Sequence, residues 1–289
     1  MKSNSKILSA PYSIWVTIFI VLPMLLVAWF AFTDGEGRFT LENILSVGQY
    51  SNVFLRSIWL GALATAISLV LGYPLAYIIA KMAPKRQSVM VMLVMLPMWT
   101  NFLLRTYAWM SILENSGILN SWIAALREAV PALDAWLTDR GVGRKIIFLY
   151  NENAVILGMV YNYLSFMIMP IYTVIVKIDR SLLEAAADLG ASPTQSFLRV
   201  TLPYSLPGVL EGVTMVFVPA VTTFVISQLM GGGKVPLIGD IIQNQFGKSS
   251  DWHFGSTLSL LVMVVVLAFM GALNRIDREE AAQKEVRIL

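Results

Sequence analysis

Cysteine is absent from this 289-residue chain, and histidine occurs once, at His253. Without cysteine the chain has no disulfides, no thiolate nucleophiles and no cysteine-ligated metal sites. One histidine cannot build a histidine-rich metal centre, so we expect no metal ligands. Charged residues make up only 13% of the chain, against the roughly 25% that is typical of proteins in general. This is too little charge to coat the surface of a soluble domain.

What the chain has instead is apolar sequence. Hydrophobic residues account for 57% of it, and its mean hydropathy is +0.69. A membrane-spanning helix needs about 20 apolar residues. Six stretches meet this length, and they are 12–33, 57–81, 87–113, 153–176, 207–233 and 254–274. They do not alternate with a period of two, so a β-barrel is not expected. The sequence predicts an all-α membrane protein with one transmembrane domain over residues 1–289.

The distribution of basic residues predicts the orientation. The first stretch is longer than the roughly 7–15 residues of a signal-peptide core and lacks a small-residue cleavage site, so we expect it to remain as a helix. Six helices place both termini on one side. With the termini inside, the inner segments hold twelve Lys and Arg and the outer segments eight. The positive-inside rule therefore predicts cytoplasmic termini. The outer connection 114–152 is predicted to contain an amphipathic helix, Leu119 to Val130.

Signatures of nucleotide hydrolysis and of ion coupling are weak. Gly231-Gly232-Gly233-Lys234 resembles part of a phosphate loop, but Val235 stands where Ser or Thr is required. Gly247-Lys248-Ser249 lacks the leading glycine of such a loop, because residue 242 is isoleucine. Apart from Lys81 at the very end of the second stretch, the six stretches contain only two charged side chains, Arg105 and Glu211, which make a poor ion relay. We expect a protein that is not an enzyme by itself.

The segment 177–204, between the fourth and fifth predicted spans, is the most informative. Ser181 and Glu184 have the spacing of a capping box, the alanines that follow favour a helix, and Gly190 supplies a left-handed stop. A second short helix is predicted to end at Leu202-Pro203. A compact helix with small side chains suits insertion into a groove of another protein. An ordinary helix–turn–helix connection is equally compatible with this pattern.

Glu184-Ala185-Ala186, followed by Gly190 and Leu202-Pro203, resembles the EAA signature of ABC importer permeases. The resemblance implies a type I importer permease fold of six helices and a coupling helix that docks on a cytoplasmic ATPase. It also implies two ATPase subunits carrying ATP and magnesium, a second and different permease chain, an external binding protein, and a bacterial inner membrane. No cofactor is expected on this chain itself. The expected coupling residues are Glu184, Ala185, Ala186, Asp188, Gly190, Leu202 and Pro203.

Finer patterns resemble the polyamine branch of that family, the spermidine/putrescine permeases. They are Leu96-Pro97-Met98-Trp99-Thr100-Asn101, Arg105-Thr106-Tyr107, Leu229-Met230-Gly231-Gly232, Leu237-Ile238-Gly239, Asp251-Trp252 and, less specifically, Leu71 to Ala76. This similarity implies movement of a polyamine from an external binding protein into the cytoplasm by alternating access. The alternatives are an ABC permease for another small solute (a phosphonate, iron or a small anion) and an ATP-independent carrier or channel.

A polyamine path needs carboxylates, amides and aromatic faces that replace the water around a multivalent cation. The candidates are Trp99, Asn101, Tyr107, Tyr161, Asn162, Tyr163 and Glu211, with Trp109, Gln228 and Asp240 as weaker ones. The aromatic residues also suit the membrane interface, and Glu211 would be equally at home in solvent at the membrane surface. Arg105 opposes the polyamine interpretation unless it pairs with an acid, caps a helix end or reaches the membrane edge. An unpaired Arg105 facing a cavity would favour an anionic solute.

Close helix packing and bending are also predicted. Gly208 and Gly212 form a small-xxx-small pattern, which is typical of helices whose backbones approach closely. Prolines interrupt five of the six stretches, at residues 23, 74, 97, 170 and 219, and each frees a backbone carbonyl. Such prolines are candidate hinges for a transporter that alternates between two states.

Overall fold

The computed structural model describes residues 11–141, 143 and 146–288, with side chains described as far as Ile276. The described residues form helices and turns, with one isolated antiparallel bridge between Thr33 and Phe39 and no β-strand. This confirms the all-α fold class. We number the main helices α1 (Leu22–Ala31), α2 (Ser51–Ala80), α3 (Pro84–Trp99), α4 (Phe102–Leu113), α5 (Ile118–Ala129), α6 (Pro131–Asp139), α7 (Glu152–Val176), α8 (Arg180–Asp188), α9 (Leu202–Thr222), α10 (Val225–Gly231), α11 (Ile238–Asn244) and α12 (Trp252–Ile288).

Five continuous helical runs are long and apolar enough to cross a membrane. They are Pro11–Ala31, Glu42–Ala80, Glu152–Val176, Pro193–Thr222 and Trp252–Ile276. Shorter elements belong to or extend these runs, namely π turns at Thr17–Val21 and Phe197–Thr201, the helices Glu42–Ser46 and Pro193–Ser196, and a 3₁₀ turn at Val47–Tyr50. A further π turn, Gln245–Ser249, follows α11.

The third predicted span, 87–113, is not one continuous helix, and it counts as a sixth span only if its two halves cross the membrane together. It divides into α3 and α4, and the direction changes by 91° between Pro84–Trp99 and Phe102–Ala129. Thr100 and Asn101 have extended backbones. The Asn101 side chain accepts hydrogen bonds from the backbone N–H groups of Leu103 and Leu104, at 2.8 and 3.3 Å. Asn101 is therefore the N-cap that starts a new helix, which hydropathy alone does not reveal.

The fifth predicted span, 207–233, differs from the structure at both ends. The helical run begins at Pro193 and passes through the π turn Phe197–Thr201 into α9. The predicted second short helix ending at Leu202-Pro203 is therefore not a separate element. Pro203 lies in the first turn of α9, where a missing N–H costs little. At the other end α9 stops at Thr222, Thr223 is extended, and α10 begins at Val225.

The core of the bundle is α7 with α2 and α9 packed against it. Gly208 and Gly212 of α9 lie directly on α7. A Cβ atom at Gly208 would stand 2.8 Å from the Pro170 carbonyl oxygen, and one at Gly212 would stand 2.9 Å from the Met167 sulfur. The predicted close helix packing is thus confirmed at these two glycines. The first span is peripheral and packs mainly on α12.

The end of the bundle away from α8 brings together the end of α1 and the beginnings of α2, α7 and α12. Arg56 of α2 pairs with Glu152 of α7 at 3.3 Å, and the Thr257 hydroxyl donates to the Ala31 carbonyl at 3.1 Å. We call this end the distal face. The predicted helix Leu119 to Val130 is found there as α5, and α6 follows it.

Candidate functional site

The first turn of α8 is capped by Asp179 and not by Ser181, so the predicted Ser181–Glu184 capping box was wrong. The Asp179 carboxylate accepts a hydrogen bond from the Ser181 N–H at 2.9 Å. This bond holds the pKa of Asp179 below its usual value. The capping box of this segment is formed instead by Ser192 and Gln195, at the start of the next helical run.

The last turn of α8 ends as predicted at Gly190, whose φ is +79°. The Gly190 N–H donates to the Ala187 carbonyl at 2.8 Å, and the Ala191 N–H donates to the Ala186 carbonyl at 3.0 Å. These two bonds form a Schellman motif, which requires a left-handed residue at the position of Gly190. The glycine therefore fixes the direction in which the chain leaves α8.

Much of the surface of α8 is exposed, and its acidic side chains have no salt-bridge partner among the described residues. Glu184, Ala185 and Asp188 are exposed, and neither carboxylate forms a salt bridge with any described residue. Leu189, which the sequence analysis did not single out, is 90% exposed at the tip of the helix. An acidic side chain, small alanines and a projecting leucine make a surface suited to contact with another protein.

The segment after α8 connects it mechanically to the transmembrane bundle. Phe197 packs edge-on against Tyr73 and Tyr77 of α2, with ring centroids 5.9 and 5.1 Å apart. The Tyr73 hydroxyl is hydrogen-bonded to the Ser205 hydroxyl of α9 at 2.8 Å. The predicted coupling residues Leu202 and Pro203 begin α9 itself. The segment after α8 is therefore in contact with both α2, through Phe197, and α9, of which it is the N-terminal extension.

A cavity of about 410 Å³ separates α8 from the ends of α2 and α7. Glu184 and Arg180 border it on the α8 side, and Lys81 borders it on the α2 side. The Lys81 ammonium lies 4.2 Å above the ring of Tyr77. Charged side chains from both α8 and the end of α2 thus line the space between α8 and the bundle.

Two of the predicted path residues flank the break between α3 and α4. Trp99 is 72% exposed and Tyr107 is also exposed. Asn101 lies between them, but its side-chain oxygen is used by the backbone of α4 as described above. The side-chain oxygen of Asn101 therefore has a structural role as a helix cap, and its place on the solute path stays a prediction.

The three consecutive candidates on α7 point in different directions. Tyr161 packs against Trp109 of α4, with ring centroids 5.3 Å apart. Asn162 is buried, and its amide donates to the Gly158 carbonyl at 2.9 Å, while its oxygen has no hydrogen bond from a described residue. The Tyr163 hydroxyl donates to the Pro219 carbonyl at 3.4 Å, just before α9 ends. These residues connect α7 to α4 and α9 and do not form one cluster.

Glu211 occupies a separate groove between α9 and α12. The groove has a volume of about 370 Å³, is otherwise largely apolar, and contains Asn274 as its second long polar side chain. None of the other six predicted path residues lines it. The structure thus does not bring Glu211 together with the aromatic candidates.

Arg105 of α4 is half-buried and lacks the partners that the sequence analysis considered. Its Nε and Nη1 atoms are buried and donate a hydrogen bond to none of the described residues. It forms no salt bridge within the described part of the chain. Among the described residues this guanidinium therefore has no acceptor for these two donors.

Asp240 of α11 is a buried carboxylate at the distal face. It is 5% exposed, and its Oδ2 atom accepts the Leu237 N–H at 2.8 Å. Burial raises the pKa of Asp240, and the nearby side chains of Ser227 and Gln228 only partly oppose this effect. The Oδ2 atom closes the first turn of α11, and the buried Oδ1 atom has no hydrogen bond from a described residue.

We expect replacement of Asp240 by asparagine to stabilise the protein increasingly as the pH rises. A raised pKa means that the folded protein keeps the proton to higher pH than the unfolded chain does. The stability contributed by the protonated carboxyl is present at acid pH and lost as the pH passes through the folded pKa. Asparagine keeps the acceptor but never ionises. Thermal unfolding in detergent should show a larger gain at about pH 8 than at about pH 4.

The matched control is Asp240→Ala, which also removes the ionisable group and should show the same change with pH as Asp240→Asn, but with a stability lower by about 1 kcal/mol at each pH because the acceptor for the Leu237 N–H is lost. Equal effects of Asp240→Asn at the two pH values would show that the carboxyl does not titrate differently on folding.

Comparison with known proteins places this architecture in a family. The family model for "binding-protein-dependent transport system inner membrane component" matches residues 72–276. The chain is 38% identical over 267 residues to the spermidine/putrescine transport system permease protein PotB of Haemophilus influenzae, covering 89% of this chain and 88% of the relative. It is 36% identical over 260 residues to the PotB protein of Escherichia coli K12, covering 87% and 90%.

The fold has a close match among solved structures. A chain of a bacterial ABC transporter involved in the import of the acidic polysaccharide alginate superposes with a TM-score of 0.72 over 96% of this chain and 95% of that one. At 20% sequence identity, this likeness concerns the fold alone. Together with the family match and the relatives, it shows that the chain is a multi-pass inner-membrane protein. The chain belongs to the binding-protein-dependent inner-membrane components, the permease subunits of ABC importers.

Proposed function

We propose that this permease moves spermidine, putrescine or a closely related polyamine from an external binding protein into the cytoplasm. The observation that carries the substrate assignment is the identity of 36–38% with two spermidine/putrescine permeases over nearly the whole of each chain. Exposed aromatic faces at the α3–α4 break, Trp99 and Tyr107, are compatible with a cationic solute.

The remainder of the complex is proposed on the same basis. Two ATPase subunits would bind ATP and magnesium, a second and different permease chain would complete the path, and a binding protein would deliver the solute. Both termini and α8 would face the cytoplasm, and the distal face would meet the binding protein. The relatives' function as transport permeases, together with the exposed α8, supports this arrangement.

Coupling is proposed to run from the ATPase through α8 to the solute path. The ATPase would contact the Glu184, Ala185, Asp188 and Leu189 surface. Because only the short turn 189–192 separates α8 from the continuous helical run Pro193–Thr222 that contains α9, motion of α8 would move that run. The breaks at Thr100–Asn101 and Thr223–Phe224 divide α3 from α4 and α9 from α10, so the distal segments would be able to change angle separately.

An anionic solute is the second candidate, and Arg105 favours it. The buried Nε and Nη1 atoms without protein partners would be satisfied by a carboxylate or phosphate oxygen. A carboxylate from the second permease chain would satisfy these donors equally well. Arg105 therefore does not outweigh the sequence identity that favours a polyamine as the solute.

Uptake of labelled spermidine by cells expressing the whole transporter tests the proposal. We expect saturable, energy-dependent uptake that unlabelled putrescine inhibits and phosphonate or sulfate does not. If no spermidine entered although the ATPase copurified with this chain, the polyamine assignment would be wrong. Inhibition by a small anion, or uptake of a labelled one, would establish the second candidate.

A further inference from the structure

The helix α5 places its apolar side chains outward and polar side chains inward, the reverse of a helix on a soluble domain. Ile118, Trp122 and Leu126 repeat every four residues and are 55%, 73% and 53% exposed. Asn120 and Arg127 are each only 5% exposed. We call the first three residues the α5 stripe.

The inward side of α5 is fixed by bonds to its own chain. The Asn120 amide donates to the Ile146 carbonyl at 3.0 Å, and its oxygen accepts the Ile146 N–H at 3.0 Å. The Arg127 guanidinium donates to the Gly143 carbonyl at 2.7 Å and pairs with Asp134 at 3.0 Å. A rotation of α5 that buried the stripe would break all of these bonds. The outward orientation of the stripe is therefore a stable feature of the fold.

The position of α5 is close to the level at which the spans end. It follows Leu113, the last residue of α4, and is bonded to residues 143 and 146, which shortly precede α7. Leu113 shares a core cluster with Leu149, and Leu119 of α5 packs against the same cluster. A 12-residue helix is about 18 Å long, too short to cross a bilayer of about 30 Å. The 91° change of direction after α3 turns α4 and α5 away from the line of that helix.

The chemistry of the stripe matches the boundary of a lipid leaflet. The groove along it is lined only by Leu119, Trp122, Ile123, Ala125, Leu126 and Ala129. Its central residue is tryptophan, which favours the membrane interface, and the charged Arg127 and Glu128 lie off the stripe. Interfacial helices bury such an apolar face about 5–10 Å into the headgroup and acyl boundary.

We propose that α5 lies on the leaflet at the distal face, with the Ile118, Trp122 and Leu126 stripe in contact with phospholipid acyl chains. The outer connection is then held between its own hydrogen bonds on one side and lipid on the other. This fixes the height of the α4–α7 connection relative to the membrane, whatever solute the permease carries.

The absence of cysteine allows a direct test by single-site spin labelling. The variants are Trp122→Cys on the stripe, Glu128→Cys on the charged side of the same helix, and Leu25→Cys as a lipid-exposed reference in the first span. Each is labelled with a nitroxide in the assembled transporter, reconstituted in nanodiscs of phosphatidylethanolamine and phosphatidylglycerol. The unsubstituted chain, which cannot be labelled, gives the background from its partners. Collision rates with oxygen and with a water-soluble nickel chelate measure the exposure of each label.

We expect the label at position 122 to resemble the one at position 25, with oxygen collisions exceeding nickel collisions, and the label at position 128 to show the opposite ratio. A label at 122 that collides mainly with nickel would place the stripe in water and overturn the proposal. A label shielded from both reagents would mean that a protein covers the stripe, and would overturn it as well.

Discussion

Replacing Gly190 with valine is expected to reduce solute uptake at least about tenfold while the permease still inserts and folds. A non-glycine residue in the left-handed conformation costs roughly 1–2 kcal/mol, and valine is among the least tolerant because it is β-branched. No atom lies within 4 Å of a Cβ built at Gly190, so the effect comes from backbone conformation and not from a clash. The strained residue would release the Schellman bonds and change the direction of α8 relative to α9.

The measurement compares uptake and solute-stimulated ATPase activity of the assembled complex. The control is Gly190→Asn, because asparagine tolerates the left-handed conformation, and we expect it to keep most of the activity. Reversal of charge in Glu184→Lys should also uncouple transport, since Glu184 is exposed and has no salt-bridge partner among the described residues. If Gly190→Val and Glu184→Lys both transported normally, α8 would not be the coupling element.

Replacing Gly208 with valine is expected to have the largest effect on stability. Even a Cβ atom at this position would lie 2.8 Å from the Pro170 carbonyl oxygen and 3.1 Å from the Ile171 Cα, both of which are backbone atoms of α7. Neither atom can rotate away, so α9 and α7 must separate. Overpacking of this kind typically costs 1–3 kcal/mol, and the additional methyl groups of valine add to it. We expect a markedly lower yield of folded protein and a lower thermal midpoint in detergent.

Gly271→Ala provides the matched control within α12. No atom lies within 4 Å of its added Cβ, so alanine should be neutral or slightly stabilising, because glycine is a poor helix former. A Gly208→Val protein as stable as the Gly271→Ala protein would contradict the observed packing of α9 on α7.

Local signals explain which features were predictable from sequence. The stop at Gly190 and the close approach at Gly208 and Gly212 depend on the special properties of glycine, and these act at the residue itself. The two helix breaks were missed because hydropathy averages over about 20 residues and does not register one extended position. Asn101 is an example. In the sequence, an amide inside an apolar stretch suggests a residue on the solute path, whereas in the structure its side chain caps α4.

The features that the sequence did not predict depend on contacts between residues that are distant in the chain. The outward stripe of α5 follows from bonds that Asn120 and Arg127 make to residues 16 to 26 positions later in the chain, which no local pattern specifies. The predicted path residues do not lie together in the structure. Tyr161, Asn162 and Tyr163 are consecutive residues of α7, so their side chains point in different directions around the helix. No described residue accepts a hydrogen bond from the buried Nε and Nη1 atoms of Arg105, so the described contacts do not assign its role.

We propose that the ATPase docks on α8. Cross-linking of α8 to the ATPase subunit in the assembled transporter is the most direct test. Ala187→Cys on the exposed side of α8 would carry the only thiol of this chain, and a benzophenone maleimide attached there would react with whatever lies against it. Glu36→Cys, exposed in the connection after α1, is the control. If the ATPase docks on α8, the reagent at position 187 should form an adduct with the ATPase subunit and the reagent at position 36 should not. Absence of an ATPase adduct at position 187 in an assembled, ATP-hydrolysing complex would contradict it.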